Sequence, residues 1–408
     1  MKSCKINTMF QRNRALRLGI DHILQRKSLF LFGPRQTGKT TFLKTEYPEA
    51  LVINLLKGGD YRELVSQPEK LEARVRHYLS TRPSPPLIII DEIQKIPELL
   101  DSVHDLIETY KEVRFILTGS SPRKLKRVGA NRLGGRAGLV HLHPITSQEL
   151  ISDPENKKTW KDFLTLGSLP SILNSIAPLD DLEDYITTYL KEEIEDEGLS
   201  RSIGGFSRFL NFSALRLGEQ LNFTSLGSDA QLPPIVVKEY FQILSDTLVG
   251  HLVEPFHQTK LRKAMMSAKF YAFDMGIANR LVGRSSVAEH SHEWGALLEN
   301  FIHNEIKAYL SYTRSKKMIQ FWRSTSQLEV DFVIWDGLNL EDLTAIEVKS
   351  TVSPTKTHLH GLRALSEEFP KLKKIIVCQT SAPQLLGEDI TVLPVELFLK
   401  KLWAGELF

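Results

Sequence analysis

The stretch Ser28–Leu43, SLFLFGPRQTGKTTFL, limits what this chain can fold into more than any other. Leu29–Phe32 is a short apolar run that reads as a buried strand, and the residues from Thr40 onward read as the opening of a helix. Between them Gly33, Gly38, Lys39 and Thr40 complete a G-x-x-x-x-G-K-[ST] pattern. Glycines let such a loop fold back so that successive backbone N–H groups face one phosphate chain. The helix N-terminus adds partial positive charge. Lys39 can reach the outer phosphates, and the Thr40 hydroxyl can ligate Mg²⁺. Contacts to ATP are therefore expected along Gly33, Pro34, Arg35, Gln36, Thr37, Gly38, Lys39, Thr40 and Thr41, with Lys39 also acting on the reacting phosphate. A chance glycine turn would not be expected to bring strand, loop, Lys-Thr and helix into agreement.

Leu87–Glu92, LIIIDE, is an aliphatic run ending in two acids, the pattern of a parallel-sheet strand buried on both faces. Such a run is common by itself; about fifty residues after a complete phosphate loop it is informative. Asp91 is expected to hold Mg²⁺ through water and Glu92 to orient and polarise the attacking water. A third apolar strand, Phe115–Ser121, ends in hydroxyls. Ser120 or Ser121 contacts the γ-phosphate or the water, or else caps the segment that follows. Residues 122–136 then carry six basic side chains (Arg123, Lys124, Lys126, Arg127, Arg132, Arg136) and no acid. Three readings stand: a phosphate-backbone contact, an arginine inserted across a subunit boundary of a homo-oligomer, or a solvated loop.

With 408 residues the chain exceeds one ordinary domain, and roughly two to four are expected. Its 42% hydrophobic and 25% charged content suffices for packed cores. A net charge of +3 neither demands nor excludes nucleic acid, so any basic footprint is local. Cys4 and Cys378 form no disulfide framework and no metal knuckle, which points to a reducing cytosol and a cytoplasmic protein. The first residues lack an apolar core of signal-peptide length. The longest aliphatic run, Leu87–Ile90, falls far short of the ~20 residues that span a bilayer, so no membrane partner is expected.

Taken in order, GPRQTGKTT, IIIDEIQKIPELL, FILTGSSPRKL and LGGRAGLVHLHPIT resemble the prokaryotic AAA-type ATPase family that carries an uncharacterised C-terminal domain. The resemblance implies an α/β fold: a P-loop core of the additional-strand type at 1–145, closed by a strand at 139–144, and a helical lid at 146–204. Within LGGRAG it makes Arg136 a better candidate than Arg132 for the inserted, catalytic arginine. No unambiguous second sensor arginine is visible. Residues 205–260 read as three helices and a strand pair, a winged-helix pattern. The segment is about neutral, with Lys238 offset by Glu239 and Asp246, which favours a structural or oligomer-contact role over groove reading.

Residues 261–408 hold a second constellation. Glu299 lies on a predicted helix, Asp331 at the centre of the strand Leu328–Val333, and Glu347 and Lys349 on the strand Ala345–Lys349. Residues two apart on a strand share a face, so Glu347 and Lys349 point the same way. Carboxylates suit a hard divalent metal and a nearby lysine can activate water, the logic of metal-assisted phosphodiester hydrolysis. The D-(x15)-E-x-K arrangement resembles the PD-(D/E)xK restriction-endonuclease-like core, with Val330 where that motif has proline. The resemblance implies a second metal site at Glu299, Asp331 and Glu347, with Asp331, Glu347 and Lys349 catalytic. An intact nuclease, an inactive binding fold and a salt-bridged structural cluster all fit. Basic residues between Lys356 and Lys374 favour a nucleic-acid partner. Two functions are thus expected. One is an ATPase that couples turnover to binding or remodelling DNA, including branched DNA such as a four-way junction. The other is a nucleotide-controlled oligomeric switch whose nuclease-like part is inactive.

Overall fold

The structure, a computed structural model, describes residues 12, 14–81, 86–123, 125, 133–152, 156–190 and 203–408. Lys124, Lys126, Arg127 and Arg132 of the basic stretch, Cys4, and residues 191–202 of the expected lid lie outside the described residues. The chain forms two compact units.

The first unit holds residues 12–144 and 246–248. Five strands, β1 (Ser28–Phe32), β2 (Leu51–Asn54), β3 (Leu87–Asp91), β4 (Arg114–Gly119) and β5 (Ala137–His141), form a sheet in the order β2-β3-β4-β1-β5. Every neighbouring pair is parallel. Parallel strands covered by helices on both sides must be apolar in both directions. Ile88, Ile89, Ile90, Phe115, Ile116 and Leu117 are accordingly all buried, which is why these segments read as unbroken aliphatic runs. β4 stands between β3 and β1, so the carboxyl ends of β1, β2, β3 and β4 emerge at one edge. The strand expected at 139–144 begins two residues earlier, at Ala137, and ends at His141.

The second unit holds residues 145–245 and 249–408. Its first helices start at capping boxes, Thr146 with Glu149 and Thr159 with Asp162, which satisfy the free N–H groups of the first turn. Helices Ile203–Ala214, Phe223–Ala230 and Pro234–Asp246 follow. Next comes an antiparallel pair, β6 (Gly250–Val253) with β7 (Lys269–Ala272). The rings of Phe209, Phe241 and Phe270 lock this pair to the helices, with Phe241 and Phe270 5.1 Å apart. Six more strands, β8 (Met318–Arg323), β9 (Glu329–Trp335), β10 (Thr344–Lys349), β11 (Lys373–Cys378), β12 (Gln384–Leu386) and β13 (Ile390–Pro394), form a mixed sheet ordered β12-β13-β11-β10-β9-β8. Alternation divides its two faces. Phe332, Ile334, Ile346 and Val348 join a core that also takes in Trp160, Phe209, Phe241 and Phe301. Val333, Trp335, Ala345 and Ile376 join a second core with Leu362 and Leu365. The helices expected as a lid, the three-helix segment and one face of this sheet thus share one core. Among the described residues no helix is long and apolar enough to cross a membrane.

Candidate functional site

In the first unit the chain leaves β1 at Gly33, whose N–H donates to Gly119 O at 3.3 Å. A Cβ on Gly33 would lie 2.3 Å from Leu142 O, so only glycine lets the loop start here. The turn reverses through positive φ at Gln36 (62°) and Gly38 (88°), and the helix Lys39–Glu46 begins at once. Thr37 Oγ1 donates to Pro34 O at 2.8 Å and braces the turn. Lys39 Nζ donates to Gly33 O (2.6 Å) and Pro34 O (3.0 Å), so its ammonium rests on the loop's own carbonyls, inside the arc where phosphate oxygens would sit. Thr41 is exposed on the first helical turn.

Opposite the loop, Asp91 ends β3. Its carboxylate accepts from Thr40 Oγ1 (2.8 Å), Asn54 Nδ2 (3.2 Å) and Thr118 Oγ1. Among the described residues these donors are neutral, and Asp91 is 2% exposed. Thr40 and Asp91 together present a hydroxyl and a carboxylate, the hard oxygen pair that suits Mg²⁺ arriving with a nucleotide. Glu92 follows in the left-handed region (φ 65°), which turns it out of the strand. Its N–H donates to Thr118 Oγ1 at 3.1 Å. Gln94 Nε2 donates both to Glu92 Oε2 and, at 3.3 Å, to Ser120 Oγ. Gln94 therefore ties the second acid of β3 to the hydroxyl beyond β4. Gly119 makes room for it, since a Cβ there would meet Gln94 Oε1 at 2.4 Å. Ser121 instead accepts from Arg123 N at 3.1 Å, the capping alternative expected for it.

The structure thus gathers Gly33–Thr40, Asp91, Glu92 and Ser120 at one sheet edge. Arg136 is not among them. Ala137 pairs with Ser28 while His141 pairs with Phe32, so Arg136 stands at the amino edge, roughly 13 Å of strand from the loop. There its Nε bonds Glu108, which Lys111 and Arg136 hold down at about pKa 2. Arg136 is half-exposed and plays no part in the phosphate site of its own chain. Sequence reasoning missed Asn54, Gln94 and Thr118. A polar residue at the carboxyl end of an apolar parallel strand was the available signal for Asn54 and Thr118; nothing local marks Gln94.

In the second unit, β9 and β10 pair only from Thr344↔Ile334 to Ile346↔Phe332. Beyond that they part, and Val348 N–H donates to Asp331 Oδ2 at 2.8 Å in place of a ladder partner. Glu347 and Lys349 share a face as expected, with Lys349 Nζ 2.6 Å from Glu347 Oε1 and 3.6 Å from Asp331 Oδ2. Glu299, on the helix His292–Tyr312, reaches the same cluster through Lys269. Its Oε1 accepts from Lys269 Nζ (2.9 Å) and Tyr271 Oη (2.6 Å), both on β7. Lys269 also meets Glu329 (2.5 Å) and Asp331 (3.7 Å). Sequence reasoning missed Lys269 because it lies 30 residues before Glu299, outside any motif.

Burial, followed by the Asp331 charge, raises the carboxyl of Glu299 and lifts that of Glu347 to about 8. Burial also works against an ionised Asp331, yet Lys349 and Lys269 bring it below the usual range. Among the described residues no group of three or more His, Cys, Asp or Glu is arranged to hold a metal ion. At the expected Glu299–Asp331–Glu347 set, the Lys269 ammonium lies 2.9 Å from Glu299 and 3.7 Å from Asp331.

Residues 25–151 match the family described as "AAA domain". Residues 157–288 and 294–398 match two families described as domains of unknown function, DUF8612 and DUF4143. Uncharacterized proteins of Mycobacterium tuberculosis (Rv2008c) and Mycobacterium bovis (Mb2031c) are each 24% identical over 342 residues, covering 81% of this chain and 73% of theirs. Among solved structures, a walker-type ATPase of Pyrococcus abyssi gives a TM-score of 0.45 at 17% identity, over 67% of this chain and 96% of that one. The ORC1 protein of Aeropyrum pernix, in complex with DNA, gives 0.27 at 13% identity, over 68% and 93%. The first unit is an AAA-type P-loop ATPase domain.

Proposed function

We propose that this protein binds ATP with Mg²⁺ at the carboxyl edge of the first sheet, hydrolyses it, and couples that turnover to binding or remodelling DNA. The observation that carries the ATP site is the convergence of the Gly33–Thr40 loop with Asp91 and Glu92, joined through the Thr40–Asp91 hydrogen bond. Lys39 moves from the loop carbonyls to the outer phosphates. Thr40 and, through water, Asp91 would hold Mg²⁺, which neutralises phosphate charge when bound. Glu92 orients the attacking water, and Ser120 sits beside it through Gln94. Arg136, remote from its own site, serves the site of a neighbouring copy in a homo-oligomer. Residues 146–204 act as the lid, 205–260 as a winged-helix-like contact segment, and 261–408 as the nuclease-like fold that meets DNA, branched DNA included. The basic side chains at 122–136 and 356–374 support that partner.

The test is ATP hydrolysis by wild type, Lys39→Ala and Glu347→Ala with no DNA, linear DNA and four-way junctions. Stimulation by DNA in wild type, lost in Lys39→Ala, supports the reading. No binding and no stimulation by any DNA form removes the DNA partner. The buried Lys269 favours a second reading, in which nucleotide sets the oligomeric state and the C-terminal fold recognises a partner without cutting it. ATP-dependent assembly with no DNA effect would select it.

A further inference from the structure

We infer that Lys269 is the resident cation of the C-terminal carboxylate cluster, so that the nuclease-like site is complete without a metal ion and takes up none. This stands whether or not the first unit hydrolyses ATP.

The ammonium of Lys269 is 2% exposed and lies within ion-pair distance of three carboxylates: Glu299 at 2.9 Å, Glu329 at 2.5 Å and Asp331 at 3.7 Å. A divalent ion recruited by Glu299 and Asp331 would have to share that space with a positive charge, and like charges at such spacing repel strongly where water is scarce. The lysine cannot leave easily. Its β7 neighbours are held in the ladder to β6, its ammonium lies over the Phe321 ring, 5.4 Å from the centroid, and Tyr271 anchors the same Glu299 oxygen. The loop carrying Gly218 closes over Glu299: a Cβ on Gly218 would lie 3.2 Å from the carboxylate, and Gly218 N–H is bonded to Phe270 O at 2.9 Å. Lys349 takes Glu347 and Asp331, and Arg323 takes Glu329. Four carboxylates therefore meet three cations, Lys269, Lys349 and Arg323. A divalent ion entering among them would meet a like charge beside every carboxylate.

The experiment uses the full chain, free of nucleotide, titrated with Mn²⁺ and followed by the electron-spin-resonance signal of the free ion. Wild type should bind no Mn²⁺ that Asp331→Asn abolishes. Lys269→Met and Lys269→Ala, checked for folding by circular dichroism, should each gain one site per chain, tighter by about tenfold or more, which Glu299→Gln removes again. Wild-type binding lost in Asp331→Asn or Glu347→Gln, but kept in Lys39→Ala, overturns the inference. So does a folded Lys269 variant that gains no site. Should neither Lys269 variant fold, the wild-type titration decides by itself: no Asp331-dependent uptake upholds the inference, and uptake overturns it.

Discussion

Two carboxylate sites in this chain resolve the same physical problem in opposite ways. At the edge of the first sheet Asp91 is 2% exposed, and the donors that reach it are the hydroxyls of Thr40 and Thr118 and the amide of Asn54. Neutral donors hold the carboxylate in place and, on the proposed reading, leave its charge available for the Mg²⁺ of a bound nucleotide. In the second unit Asp331 is equally buried, but Lys349 and Lys269 stand beside it, and its charge is already answered. The lesson is that the partners of an acid, more than its motif, decide whether it can work with a metal. A third carboxyl marks the remaining option. Glu305 accepts from Ser147 N, Ser147 Oγ and Trp403 Nε1, each at 2.7 Å, and burial lifts it to about 7. Its printed donors are neutral, and burial shifts it toward the protonated form.

The largest expected effect tests the open side of this contrast. Glu92→Gln should slow ATP turnover by about 10²–10⁴-fold while leaving nucleotide affinity nearly unchanged, read by phosphate release and by titration with a fluorescent ATP analogue. Equal loss of both would show that Glu92 holds the loop rather than the water. On the closed side, Lys269→Met leaves Glu299 buried without its ammonium. Removing one partner of a buried ion cluster costs about 3–5 kcal/mol, so the urea midpoint of the second unit should fall by a matching amount. A neutral substitution would show that the cluster is wet and exchangeable.

Smaller effects sharpen the contrast further. Gln94→Ala frees Glu92 from Ser120 and should lower kcat by about tenfold, some 1.4 kcal/mol, with KM unchanged. The same loss in KM would make Gln94 a binding group. Glu305 gives the pH test. Its folded pKa of about 7 exceeds the ordinary glutamate value of 4.5, so the fold prefers the protonated form. The stability this contributes is full below pH 4.5 and is lost as pH rises through 7, with a slope of at most about 1.4 kcal/mol per pH unit. Glu305→Gln should flatten that slope, measured as urea midpoints at pH 5 and pH 8.

These differences also set what was legible in the sequence. The phosphate loop is a local device: strand, glycines, lysine and helix follow each other within 16 residues, so the pattern carries the geometry. Asp91 and Glu92 were legible because parallel strands are apolar until their carboxyl ends. Asp331, Glu347 and Lys349 were legible for a similar reason, as charged residues interrupting apolar strands. Lys269 was not. It sits on a short strand whose partner is β6, and only packing against the helix His292–Tyr312 brings it to Glu299. For Arg136 the sequence named a residue to be inserted across a subunit boundary but did not say which end of the strand it occupies; it stands at the amino edge.

The most direct test is a count of Mn²⁺ bound per chain by the same protein with and without ATP. One ion in the presence of ATP, lost in Asp91→Asn, and none in its absence is the expected result. Uptake without ATP that depends on Asp331, or an ATP-loaded protein that binds no ion, would contradict it.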